Sequence, residues 1–189
     1  MGKNVLLKYI AIVYTVGLFL TGCGKNSLTE TAHERIATLC SAGKLSTAEY
    51  TVDKVIKATD CEWWTIGDRK ILFTCRAYLE GGIDMSKYDA TKTIIDEGKH
   101  SITIVLPKAE LLSVNMPADH IQLKYTKVST LRMNFTATER NDVLRQGEND
   151  IRNDIDNLGI LVDAEANATT YFTSLFKQIG FTDITINFE

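Results

Sequence analysis

The sequence predicts an α+β fold: a mostly antiparallel sheet with one long hairpin, covered by a C-terminal helix pair and closed by a last strand. Three observations carry this prediction. Residues 47–58 and 71–79 alternate apolar and polar side chains, with Gly67-Asp68 as the turn before the second run. Residues 136–179 change to a helical period, and alternation returns in Ile184, Ile186 and Phe188. Strands followed by helices, rather than strict β-α alternation, place the helices on one side of an antiparallel sheet.

Each element has its own signal. Ser27-Leu28-Thr29-Glu30 has capping-box spacing and opens a short helix to about Ser41, with Leu28, Ala32, Ile36 and Leu39/Cys40 near one face and Gly43 as its stop. Ala48, Tyr50, Val52, Ile56 and Ala58 mark the first long strand, interrupted only by Lys54, and Ile71, Phe73, Cys75, Ala77 and Leu79 mark the second. Gly81-Gly82 then predicts a bulge or bend. Ile102, Ile104 and Leu106 form a third strand closed by Pro107. Leu112, Val114 and Met116 form a fourth closed by Pro117, and Ile121, Leu123 and Tyr125 a fifth. Thr136-x-x-Glu139 caps a helix whose apolar side holds Val143, Ile151, Ile155 and Leu158, and Gly159 breaks it. Leu161, Ala164, Ala168, Phe172, Leu175 and Ile179 line the next helix, which Gly180 stops.

The chain has 189 residues with 21 Lys+Arg and 24 Asp+Glu, but its charge is unevenly placed. Residues 1–22 hold 14 apolar residues, two lysines and no acid, so the remaining 167 residues carry an excess of five acids. A net acidic chain without a basic stripe argues against nucleic acid as partner. Lys3 and Lys8 precede an uncharged run from Tyr9 to Leu20 that ends in Leu20-Thr21-Gly22-Cys23. At 1.5 Å per residue that run spans about 18 Å, too short for a hydrocarbon core of about 30 Å. A basic start, a short apolar stretch and small residues before a cut site form the layout of a secretory signal.

The tetrapeptide resembles the bacterial lipobox. The resemblance implies cleavage between Gly22 and Cys23 and lipidation of Cys23, which would hold the mature protein on a membrane without crossing it. Residues 1–22 are therefore expected to be a lipoprotein signal peptide, residues 23–44 a tether with the short helix, and residues 45–189 a single domain. Gly24 stands where an inner-membrane retention aspartate would follow, and Gly24-Lys25-Asn26-Ser27 lacks an acidic surface-export run. The expected location is the cell membrane or outer membrane, facing the periplasm.

Cys40, Cys61 and Cys75 remain in a compartment where disulfides persist. Two readings stay open: a Cys61–Cys75 bridge across the hairpin connection, or three buried free thiols. No Cys-x-x-Cys pair occurs, and His33, His100 and His120 are scattered, so no metal and no cofactor is expected.

Longer motifs carry a family resemblance. Leu45-Ser46-Thr47-Ala48-Glu49-Tyr50-Thr51-Val52, Gly81-Gly82-Ile83-Asp84-Met85 and Ile102-Thr103-Ile104-Val105-Leu106-Pro107 occur in that order. Gly159-Ile160-Leu161-Val162-Asp163-Ala164, Asn167-Ala168 and Gly180-Phe181-Thr182-Asp183-Ile184 follow. Together they resemble the domain of unknown function 4230 family over most of residues 45–188. The resemblance implies a small bacterial envelope protein with an N-terminal anchor, and it implies no reaction, cofactor or catalytic residue. The chain departs from the pattern in its added Cys61-Glu62-Trp63-Trp64.

Candidate sites are few. Asp84, Asp89, Asp96 and Glu97 offer carboxylates in a polar segment whose charge density is that of a solvated loop. No Gly-x-Ser-x-Gly, His-Glu-x-x-His or phosphate-binding glycine loop is present, so no enzyme is expected. Trp63 and Trp64 are the candidate interaction surface: adjacent strand residues face opposite ways, so one indole can be exposed, or both are buried. The expected function is a non-enzymatic protein-interaction or assembly module, including self-association, held at the membrane by lipid on Cys23. The alternative is a periplasmic binding module for a small molecule or envelope polymer, using a groove near Trp63 or Trp64.

Overall fold

A computed structural model describes residues 27–60 and 66–189. Helix α1 spans Leu28–Ala42, and strands β1 (Lys44–Asp60) and β2 (Arg69–Asp84) form the long hairpin. Strands β3 (Ile94–Asp96), β4 (Ser101–Leu106), β5 (Ala109–Asn115) and β6 (Ile121–Val128) follow. Helices α2 (Ala137–Asn153), α3 (Ile155–Leu158) and α4 (Ile160–Ile179) precede the last strand, β7 (Asp183–Phe188). The architecture is α+β and mostly antiparallel. It contains two sheets, however, rather than the single sheet expected.

In the first sheet, β1 and β2 pair from Lys44↔Asp84 to Asp60↔Arg69. The other edge of β2 is shared: β6 pairs with Arg69–Cys75 and β5 with Tyr78–Ile83, both antiparallel. The second sheet has the order β3-β4-β7, with β7 parallel to β4 from Ser101↔Asp183 to Leu106↔Phe188. The last strand thus closes a separate small sheet. Pro107 lacks the N–H that would extend β4, and the chain turns there into β5 on the larger sheet.

Helix ends follow the sequence signals. Ser27 Oγ accepts from the Glu30 N–H at 3.1 Å, while the adjacent Thr29 N–H donates to Glu97 Oε1 at 2.9 Å, so α1 is capped partly from a distant loop. Thr136 and Glu139 form the full reciprocal box at the start of α2. Gly159, with φ of 78°, takes the left-handed conformation that turns α3 into α4. The register shifts beside Gly81-Gly82, but the extra residues are Thr47 of β1 and Leu112 of β5, so the predicted bulge falls on the strands facing the glycines and β2 itself continues to Asp84. The reason for glycine at 82 is space: a Cβ there would strike the Leu45 carbonyl of β1.

Three hydrophobic clusters lie in series beneath the sheets. The first joins Ala32 and Ile36 of α1, Ile83, Met85, the inner residues of β4, and Phe172, Phe176 and Phe181. The second packs Ala48, Ala77 and Leu79 against Ile151, Ile160 and Ala164. The third, toward the hairpin tip, joins Ile56, Ile71, Phe73, Cys75, Phe135 and Val143. The fully buried row of α4 is Ile160, Ala164, Ala168, Phe172 and Phe176. That row corrects the predicted face at its ends: Leu161, Leu175 and Ile179 are only half-buried. A spacing of four keeps one ridge against the sheet, and the small Ala164 and Ala168 let the helix approach closely.

Close approach also governs α2, where Val143, Gly147 and Ile151 are the buried positions. A Cβ on Gly147 would collide with the Ile56 side chain of β1. Overfilling such a contact costs about 1–3 kcal/mol. Gly147→Val is therefore expected to lower unfolding free energy by about that amount in urea titration, and Thr136→Ala, which removes the cap, by about 1 kcal/mol.

Candidate functional site

The hairpin tip gathers the largest polar constellation in the described residues. Antiparallel pairing sets Asp60, at the end of β1, beside Arg69, at the start of β2. Arg69 donates from Nη2 and Nε to Asp60 Oδ2 at 2.5 and 2.9 Å, and from Nη2 to Glu139 Oε1 at 2.7 Å. Arg132, from the connection after β6, donates to the same Asp60 oxygen at 2.6 Å and to the Gly67 carbonyl at 3.2 Å. The Arg69 guanidinium also lies 4.6 Å from the centre of the Phe135 ring. Two arginines and two carboxylates thus tie the hairpin tip to the start of α2.

Electrostatics make this a clasp rather than a reactive centre. The Arg69 hydrogen bond and the Thr136 amide and hydroxyl hold the Glu139 carboxyl down at about 2. Arg69, then Arg132, lowers that of Asp60, and the Glu139 and Asp60 partners raise Arg69. Each charge is matched, and no acid here is poised to give or take a proton near neutrality. What the clasp does is fix two adjoining loops, where Asp68 and Ser129 exchange hydrogen bonds of 3.0 and 3.1 Å. Those loops carry Ile66, Leu131 and Met133, which are 75%, 75% and 86% exposed.

The sequence-predicted residues fall elsewhere. Gly22 and Cys23, proposed for cleavage and lipidation, lie outside the described residues, as do Cys61, Trp63 and Trp64. Cys75 is described, and it is a free thiol, 3% exposed. Its Sγ donates to the Lys54 carbonyl at 3.7 Å and lies 3.8 Å from Met116 Sδ, and burial raises its pKa. The suggested Cys61–Cys75 pairing meets the hairpin register: Asp60, bonded to Cys61, pairs with Arg69, about 20 Å along β2 from Cys75 at strand rise. Disulfide Cα atoms lie within about 7 Å. The register therefore argues against that bridge and for the free-thiol reading of Cys75. Cys40, half-buried on α1, is also free.

Asp84, Asp89, Asp96 and Glu97 do not converge. Asp84 Oδ1 accepts from the Ser86 amide at 3.0 Å and Asp89 Oδ1 from the Thr91 amide at 3.0 Å, each capping a single helical turn. Asp96 accepts from the Lys99 amide at 3.1 Å, and Glu97 caps α1. Among the described residues no group of three metal-type ligands forms. A shallow groove of about 380 Å³ lies on the uncovered face of the sheet between Asp53, Val55, Thr74, Arg76, His120 and Gln122. The sequence signal for the clasp was incomplete: the Thr136 box marked Glu139, but nothing local marked Asp60, Arg69 or Arg132.

A family model described as "Protein of unknown function (DUF4230)" matches residues 38–186. The search of curated proteins finds no significant match, and that of solved structures finds none either.

Two measurements check the site. Because Glu139 and Asp60 titrate below their ordinary values when folded, their stabilisation is complete above about pH 4.5 and is lost as pH falls toward 2. The melting temperature is expected to fall through that window, and less steeply in Glu139→Gln. Alkylation without reductant is expected to leave Cys75 unlabelled in the folded protein and to label it after unfolding.

Proposed function

The chain belongs to the family of proteins of unknown function DUF4230, and from that premise we propose that it is a lipid-anchored cell-envelope protein whose domain mediates protein contact or assembly at the membrane. The observation that carries this reading is the exposed apolar tip, with Ile66, Leu131 and Met133 held in place by the saturated Asp60–Arg69–Arg132–Glu139 clasp. Exposed apolar side chains on a rigid support favour partner contact over chemistry. The lipobox ending in Cys23 supplies the address.

The start of α1 and the hairpin tip lie at opposite ends of the domain. Ser27, four residues after Cys23, caps α1 over the first cluster, against Glu97, with Leu28 beside Gly180. The tip bounds the third cluster, and β1, with 17 residues, covers about 55 Å between them. The proposed location is the periplasmic side of the cell membrane or outer membrane.

Two experiments test the proposal. Cys23→Ala is expected to abolish acyl labelling and release the protein from membranes; unchanged labelling would overturn the anchor. Cross-linking in intact membranes is expected to recover a stoichiometric protein partner, and recovery should drop when Ile66, Leu131 and Met133 are all changed to Ser. Absence of any partner across growth conditions would count against assembly.

A further inference from the structure

We infer that β1 is a pairing edge for a second copy of this chain, centred on Val55. The inference rests on the assembly reading above and names its partner. Among the described residues β1 makes ladder bonds to β2 alone, so its other edge is free. Among the described residues the start of that edge is capped, where Asn167 Nδ2 of α4 donates to the Thr47 carbonyl at 2.8 Å. Natural edges are blunted by shortness, proline, bulges or charge. From Ala48 to Asp60 this one has no proline, no glycine and no register shift, and its charges, Glu49, Asp53, Lys54, Lys57 and Asp60, are of both signs.

The direction of the free groups is fixed by Cys75. Its Sγ bonds the carbonyl of Lys54, its cross-strand partner, so the Lys54 main-chain groups point toward β2. In an antiparallel ladder the direction alternates from residue to residue. The N–H and C=O of Thr51, Asp53, Val55, Lys57 and Thr59 therefore point outward. Their side chains share the uncovered face and are exposed, Val55 by 58%.

Charge then selects a register. Two identical strands related by a two-fold axis at Val55 set Val55 against Val55, Asp53 against Lys57 twice, and Thr51 against Thr59 twice. About ten main-chain hydrogen bonds would form. Moving the axis to Asp53 sets like carboxylates against each other, and moving it to Lys54 sets like ammonium groups against each other, both unfavourable across a ladder. Within each copy Arg76 of β2 holds both Asp53 oxygens, Nε to Oδ1 at 2.8 Å and Nη2 to Oδ2 at 3.2 Å, so the Lys57 of the second copy would share this carboxylate with Arg76. Two four-stranded sheets would become one continuous sheet, and because the two-fold axis runs perpendicular to it, the helices of both copies cover the same face.

The test uses the full chain in native membranes and in detergent. Val55→Cys is expected to give a disulfide-linked dimer on oxidation, as should co-expressed Asp53→Cys and Lys57→Cys copies; Thr74→Cys, one strand inward, should not. Val55→Pro removes an outward N–H without touching the β1–β2 ladder. It is expected to weaken dimerisation by about tenfold or more in sedimentation, with an unchanged circular dichroism spectrum. If Val55→Cys links no better than Thr74→Cys, or the protein is monomeric throughout, self-pairing is overturned. Recovery of a different stoichiometric protein would then leave the assembly reading standing, and recovery of none would remove both.

Discussion

The inner row of β2 is the constraint on which the rest of the molecule depends. Ile71, Phe73 and Cys75 sit in the third cluster, Ala77 and Leu79 in the second, and Ile83 in the first, so one strand threads all three. The same strand gives one whole edge to β1 and divides the other between β6 and β5. Because side chains alternate strictly, a slip of one residue would turn the entire row to solvent. The bulges beside Gly81 and between Ser46 and Ala48 absorb the mismatch at the base, leaving the rest of the hairpin in register. Small residues complete the arrangement: Ala48, Ala77 and Ala164 admit α4, and Gly147 admits α2 onto Ile56.

Polar groups are spent on holding loops and helix ends. Asp84 and Asp89 cap their own turns, Glu97 caps α1 across the fold, and Glu139 serves both its own helix and Arg69. No buried side-chain nitrogen or oxygen among the described residues lacks a partner. This saturation puts the polar side chains to structural use. It fits a molecule whose outward features are an apolar tip and an unpaired strand edge.

Much of this fold was legible locally. Alternation located β1 and β2, capping spacing located α1 and α2, and Gly159 marked the break between helices. What local pattern does not encode is which distant strands meet. The Ile184-Ile186-Phe188 alternation identified β7 but not its parallel pairing with β4, and so not the second sheet. The α4 face was read correctly at Ala164, Ala168 and Phe172 and drifted at both ends, because a helix lying along one ridge buries every fourth residue. Cys75 showed the same limit. Spacing alone allowed a partner in the hairpin connection, and only the register revealed how far up the strand the thiol sits.

The parallel β4–β7 pair has a consequence for the order in which the molecule can be made. β4 precedes β5, β6 and all three later helices in the chain, yet its second neighbour is the final element. The first cluster needs Phe172, Phe176 and Phe181 from that same late region in addition to Ile83, Met85 and β4, on which α1 also packs. A chain emerging from its N-terminus can zip the local β1–β2 hairpin early, whereas the first cluster under α1 is complete only when α4 and β7 are delivered. The end of the domain nearest Cys23 is therefore the first to be synthesised and the last to become solid.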